Sequence, residues 1–137
     1  MDHLTLYTDG ACSGNPGPAG IGYVILTPAG EELAAVGRAI GHATNNIAEY
    51  TALLEGLAHC RRLGARAVEV VSDSELMVLQ LKGRYRVKSP GLAPLFAQAK
   101  ELAAGFERVS YRHVLRGENQ RADGLASGAI RPGRGQG

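Results

Sequence analysis

Residues 4–18 read LTLYTDGACSGNPGP. Residues 4–8 predict a strand, and it runs straight into Asp9-Gly10. Residues 11–18 are dense in glycine, proline, serine and asparagine, the residue types that punctuate regular structure, so they predict a turn or loop. A carboxylate therefore sits where a strand gives way to a loop of small residues.

Working outward, residues 20–26 form a second apolar run, Pro28-Ala29-Gly30 a turn, and residues 32–40 a third extended run, which together predict a hairpin. Thr44-Asn45-Asn46 supplies helix N-cap chemistry, and Ile47, Tyr50, Leu54 and Leu57 recur at helical spacing until Gly64. Residues 67–71 are a short buried-type strand ending at Ser72-Asp73. Ser74 is placed to cap a short helix over 76–81, closed by Gly83. An extended basic link leads to an amphipathic helix over 92–104, a strand over 109–115 and a last helix over 119–129. The order β-β-β-α-β-α-α-β-α predicts an α/β fold, a mixed sheet covered by helices. Such folds gather strand ends and helix starts on one sheet edge, where ligands bind.

Length and composition narrow the classes further. A chain of 137 residues predicts one domain, here over 1–130, and buries about two-thirds of its unfolded surface. Apolar types at 45% and charged types at 20% argue against a disordered chain. Residues 131–137, RPGRGQG, are basic, Gly-rich and apolar-poor, so a disordered tail is expected there. Lys and Arg number 15 against 13 Asp and Glu, and a formal charge of +2 does not by itself announce a polyanion partner. No apolar run approaches the roughly 20 residues of a membrane span, and no signal peptide is visible. Cys12 and Cys60 form no CxxC pair, which speaks against a disulfide framework or structural zinc and for a reduced, cytoplasmic setting.

Four acids occupy element ends: Asp9 and Asp73 after strands, Glu49 and Asp123 early in helices. Each has an ordinary explanation. Asp9-Gly10 is a common turn pair, Glu49 three residues after Asn46 resembles a capping box, Asp73 could cap the next helix, and Asp123 suits a helix dipole. Together they say more. Carboxylates that converge repel one another unless protons or a cation neutralise them. A set of carboxylate oxygens without His or Cys suits Mg²⁺ or Mn²⁺, and paired divalent ions held by acids serve phosphodiester displacement.

The motifs carry a resemblance. The segment Thr8-Asp9-Gly10-Ala11-Cys12-Ser13-Gly14-Asn15-Pro16-Gly17-Pro18 resembles the opening signature of type 1 ribonuclease H. Thr44-Asn45-Asn46-Ile47-Ala48-Glu49 resembles its TNN-x-x-E helix start, Ser72-Asp73-Ser74 its third acidic motif, and Asn119-Gln-Arg-Ala-Asp123-Gly-Leu-Ala126 its N-x-x-A-D-x-L-A motif. The resemblance implies the ribonuclease H-like α/β fold, a five-stranded mixed sheet of order 3-2-1-4-5 flanked by helices. It implies hydrolysis of the RNA strand of an RNA/DNA hybrid by two Mg²⁺ ions, with Mn²⁺ as a possible substitute, leaving 5′-phosphate and 3′-hydroxyl ends. By position, Asp9 bridges both ions, Asp123 helps hold the ion that activates water, and Glu49 and Asp73 help hold the ion at the leaving oxygen. Backbone groups of Gly10, Ala11, Cys12 and Ser13, with Asn15 and Asn45, are the implied contacts to the 2′-hydroxyls that mark RNA. Asn46 and Thr44 are implied contacts to the paired strand. A monomer is expected.

The basic residues leave choices open. Lys82, Arg84, Arg86 and Lys88 alternate through KGRYRVK, and if extended they share one face, either as a phosphate-binding row or as a solvated, edge-protecting stretch. The long basic handle of some members has no counterpart, which places this chain with the compact bacterial and archaeal-like subgroup and leaves RNA/RNA duplexes open as substrates. Two residues compete for the role of the flexible-loop His. His113 lies ten residues before Asp123 as in an ungapped match, but reads as part of a strand, whereas Arg116 fits a shortened loop and is preferred. Glu75 stands where many members carry Gln.

Overall fold

The computed structural model describes residues 2–130, so the expected tail over 131–137 lies outside the described residues. The strands are β1 (His3–Cys12), β2 (Gly17–Leu26), β3 (Glu32–Ala43), β4 (Ala67–Ser72) and β5 (Arg108–His113). The helices are α1 (Asn45–Arg62), α2 (Glu75–Leu81), α3 (Ala93–Ala104) and α4 (Gln120–Ala129), with a 3-10 turn over Arg116–Glu118. The sheet order is β3-β2-β1-β4-β5, as the resemblance implied. β1 pairs antiparallel with β2 and β2 with β3, whereas β1–β4 and β4–β5 are parallel.

Alternate residues of β1 decide which face carries α1. Leu4 and Leu6 are fully buried, and Leu6 lies against Gly56 of α1. The core forms there from Leu4, Leu6, Ile25, Leu53, Leu57, Val68, Val70 and Met77. α1 starts where Thr44, in extended backbone, accepts the Ile47 N–H at 3.2 Å through Oγ1, and it ends before Gly64, whose φ of 86° suits glycine. α4 covers the other face over β1, β2 and β3. It lies so close that a Cβ on Gly22 would meet the Ala126 nitrogen at 2.7 Å. Glycine in β2 is therefore what sets the height of α4 above the sheet.

Three local expectations are corrected. Asp9 does not end β1: pairing with β4 stops at Thr8↔Ser72, but pairing with β2 continues from Asp9↔Gly22 to Cys12↔Ala19. The expected loop over 11–18 is thus a hairpin whose tip is residues 13–16. Likewise β3 continues to Ala43, past the expected end at 40. The link over 82–88 is not extended at its start. Lys82 caps α2, Gly83 has φ 80°, and the backbone N–H groups of Arg84 and Tyr85 both donate to the Leu79 carbonyl, at 2.9 and 3.3 Å. Lys82 therefore drops out of the alternation, while Arg84, Arg86 and Lys88 remain exposed. No helix among the described residues is long and apolar enough to cross a membrane.

Candidate active site

The pocket forms where β4 leaves β1. Asp9 lies one residue past that fork and Asp73 one residue past the last residue of β4. Ser74 caps α2 by accepting the Met77 N–H at 3.3 Å, which frees Asp73 from the capping role. Glu49 is brought in by α1. With Thr44 as N-cap, Glu49 lies too far along the helix for a capping box. Its Oε1 instead accepts the Gly10 N–H at 3.1 Å. Gly10 is required at this contact, because a Cβ there would lie 2.6 Å from the Ala48 carbonyl carbon and the Glu49 nitrogen.

Asp9, Glu49 and Asp73 each offer a carboxylate oxygen within 4.8 Å of the others. Asp123, in the first turn of α4, is not part of that triad but interacts with the Asp9 carboxyl by hydrogen bond and by charge. Asp9 is 4% exposed and the other three are half-buried. Burial, then the charge of Glu49, then the hydrogen bond that the protonated Asp9 donates to Asp123 drive the pKa of Asp9 well above the carboxylate range. Burial and the charge of Asp73 raise Glu49 as well, opposed by the Gly10 N–H and by Arg116. The oxygen Asp73 Oδ2 is buried without a hydrogen-bond partner. An orphaned carboxylate oxygen beside two buried carboxyls that repel one another is what a hard divalent cation would satisfy, so these residues fit Mg²⁺ or Mn²⁺.

Arg116 is exposed on the 3-10 turn, and its charge acts on Glu49, which places it at the rim of the pocket. His113 is the last residue of β5, held in register opposite Ser72. Asn15 caps the approach of α1 to the hairpin: its Oδ1 accepts the Asn45 N–H at 3.0 Å. Asn15, Thr44 and Asn46 line one groove of about 450 Å³ with Ile47, Ser89, Gly91 and Leu92. Ala11 and Cys12 are half-buried in β1 and Ser13 is exposed at the hairpin tip. The Cys12 thiol is 2.9 Å from the Ala43 carbonyl, which it meets as a donor. Glu75 is exposed on the first turn of α2. Sequence reasoning missed Ser89 and Gly91, which have no motif around them, and the structural part of Asn119, whose signal was its place in the N-x-x-A-D motif.

A five-stranded sheet of order 3-2-1-4-5, with an acid pocket at its parallel fork, defines a ribonuclease H-like domain. A family model described as reverse transcriptase-like matches residues 7–129. The chain is 44% identical over 128 residues to a bifunctional protein of Mycobacterium tuberculosis, covering 93% of this chain and 35% of that protein. The N-terminal RNase H domain of the mycobacterial protein, solved as a fusion with maltose binding protein, superposes with a TM-score of 0.92 at 45% identity, covering 94% of this chain and 99% of that one. Ribonuclease H of Roseobacter denitrificans is 32% identical over 149 residues, 96% of this chain and 98% of the relative. LC11-RNase H1, solved in complex with an RNA/DNA hybrid, gives a TM-score of 0.88 at 41% identity, with 93% and 96% covered. The chain belongs to the ribonuclease H family. It spans about a third of the length of its mycobacterial relatives.

Proposed function

We propose that this chain is a divalent-metal-dependent endonuclease that hydrolyses the RNA strand of RNA/DNA hybrids. The observation that carries this reading is the convergence of Asp9, Glu49 and Asp73 on one point, with an unpartnered buried oxygen on Asp73. Asp9, Glu49 and Asp73 would hold one ion, and Asp9 with Asp123 a second. When bound, the ions supply Lewis acidity at the phosphodiester and a water of lowered pKa. The chain itself does the rest. Gly10 orients Glu49 through its N–H. The Arg116 guanidinium, a planar fork of donors, attracts phosphate at the pocket rim. The backbone of Gly10, Ala11, Cys12 and Ser13, with Asn15 and Asn45, presents small polar groups toward an RNA minor groove and its 2′-hydroxyls. Thr44 and Asn46 face the paired strand, and Arg84, Arg86 and Lys88, with Lys82 beside them, meet phosphates. The proposed unit is a cytoplasmic monomer with its catalytic domain over 1–130 and a basic tail over 131–137. The hybrid bound in the LC11-RNase H1 structure supports the choice of substrate.

The test is cleavage of end-labelled hybrid, RNA/RNA and DNA/DNA duplexes with Mg²⁺, with Mn²⁺ and with chelator. Hybrid cleavage that needs the metal is expected. A folded protein that leaves the hybrid intact with both ions would defeat the proposal.

A further inference from the structure

Asn119 bears no charge and touches no carboxylate of the triad, yet it joins three parts of the pocket. It is 1% exposed. Its Nδ2 donates to the carbonyl of Thr8, the residue before Asp9, at 2.9 Å. Its own backbone carbonyl accepts the N–H of Asp123 at 3.0 Å, and its backbone N–H donates to the Arg116 carbonyl at 3.0 Å. Thr8 is the last residue of β1 paired with β4, so the side-chain amide reaches β1 at the fork where the parallel ladder opens.

The other end of that amide is unsatisfied, because Asn119 Oδ1 is buried without a hydrogen-bond partner. A buried acceptor left unpaired is costly, so packing alone is a poor reason for an asparagine here. What the residue contributes is one directed N–H. Asp9, Glu49 and Asp73 converge without Asp123, so α4 supplies no member of the triad. The separation of Asp123 from Asp9 depends on where α4 begins relative to β1. We infer that Asn119 is a positioning residue that sets this separation, and with it the affinity of the Asp9–Asp123 side of the pocket for a divalent cation. The inference rests on the metal-dependent reading above and goes one step further into its machinery.

Outer residues that orient metal ligands typically change affinity by roughly 10–100-fold when lost. The experiment compares Asn119→Ala and Asn119→Asp with wild type and with Val68→Ala, a buried substitution in β4 away from the pocket. Two quantities are read: the Mg²⁺ concentration for half-maximal hybrid cleavage, and the rise in Tm that Mg²⁺ produces, which needs no turnover. Asn119→Ala is expected to raise the half-saturating Mg²⁺ about tenfold or more, to shrink the Mg²⁺-induced rise in Tm, and to regain turnover at high metal. Asn119→Asp keeps the shape and loses the donor. Its added charge alone would tighten cation binding, so weaker binding in this variant points to the lost N–H. If both variants lose stability as Val68→Ala does but keep the wild-type Mg²⁺ response, the inference is overturned. A wild-type protein with no Mg²⁺ response would overturn the metal reading itself, and this inference with it.

Discussion

Asp9 is enclosed at 4% exposure, and its neighbours Glu49, Asp73 and Asp123 all add negative potential. Without a cation it is held as the neutral acid, which an asparagine matches in shape. Asp9→Asn is therefore expected to keep or gain stability while losing an oxygen needed by both proposed ions. Several kcal/mol of transition-state stabilisation go with that oxygen, so hybrid cleavage should fall by roughly 10³-fold or more. Thermal unfolding beside a cleavage assay checks both halves, and near-normal turnover would refute the bridging role. Arg116 and His113 present the opposite case, two candidates for one role. Arg116 lies at the rim where its charge reaches Glu49, whereas His113 is fixed in β5 opposite Ser72. Arg116→Ala should slow turnover about tenfold, about 1.4 kcal/mol, and leave the Mg²⁺-induced rise in Tm unchanged. His113→Ala should do less. The reverse order would return the role to the histidine.

At the scale of elements, the pocket exists because α1 meets β1 at Gly10. A methyl group there would have to displace the backbone of Ala48 and Glu49, which lies 2.6 Å from its position. Gly10→Ala should cost about 1–3 kcal/mol in urea unfolding, as overpacking does, and should reduce cleavage more than that loss explains, because Glu49 is pushed off the Gly10 N–H. Unchanged cleavage in the folded variant would show that this approach is not needed. The same junction shows what could be read beforehand. The element order and the four acids were legible, since apolar runs are bounded by Gly, Pro and cap residues and each acid lies beside such a boundary. The ends of β1 and β3 were not. Gly10, Ala11 and Cys12 lack strand-forming side chains, but a hairpin ladder uses backbone groups, and β2 supplies them. The capping-box alternative for Glu49 arises because three N-cap candidates stand in a row, and it fails because Thr44 takes the role. The start of the 82–88 link lost its extended form to Gly83, whose left-handed backbone folds Arg84 and Tyr85 back onto the end of α2.

For the molecule as a whole, the pocket is a proton reservoir that a metal would discharge. Glu49 is pushed up to about 8 and Asp9 to about 10, both chiefly by burial. In the unfolded chain these carboxyls titrate near 4. Between the two ranges the folded protein holds protons that the unfolded chain has released, so the metal-free protein loses stability as pH rises from about 4 toward those raised values. His59 acts in the opposite sense. Burial lowers its pKa, so its contribution grows as pH rises, but only up to the ordinary histidine range near 6.5. Cys60, pushed up to about 12 by burial, adds a decline of its own once the unfolded thiol titrates near 8.5. The acids are therefore best isolated above pH 7, and by comparison of the same protein with and without Mg²⁺, since the ion leaves His59 and Cys60 unaltered. A cation competes with protons for the carboxylates, so its affinity rises with pH. Tm in EDTA should fall between about pH 7 and pH 9, the fall should be shallower in Mg²⁺, and the gap between the curves should widen with pH. In Asp9→Asn both the fall and the gap should shrink. Curves in EDTA and Mg²⁺ that coincide across this range would mean that the carboxyls do not exchange protons for the ion.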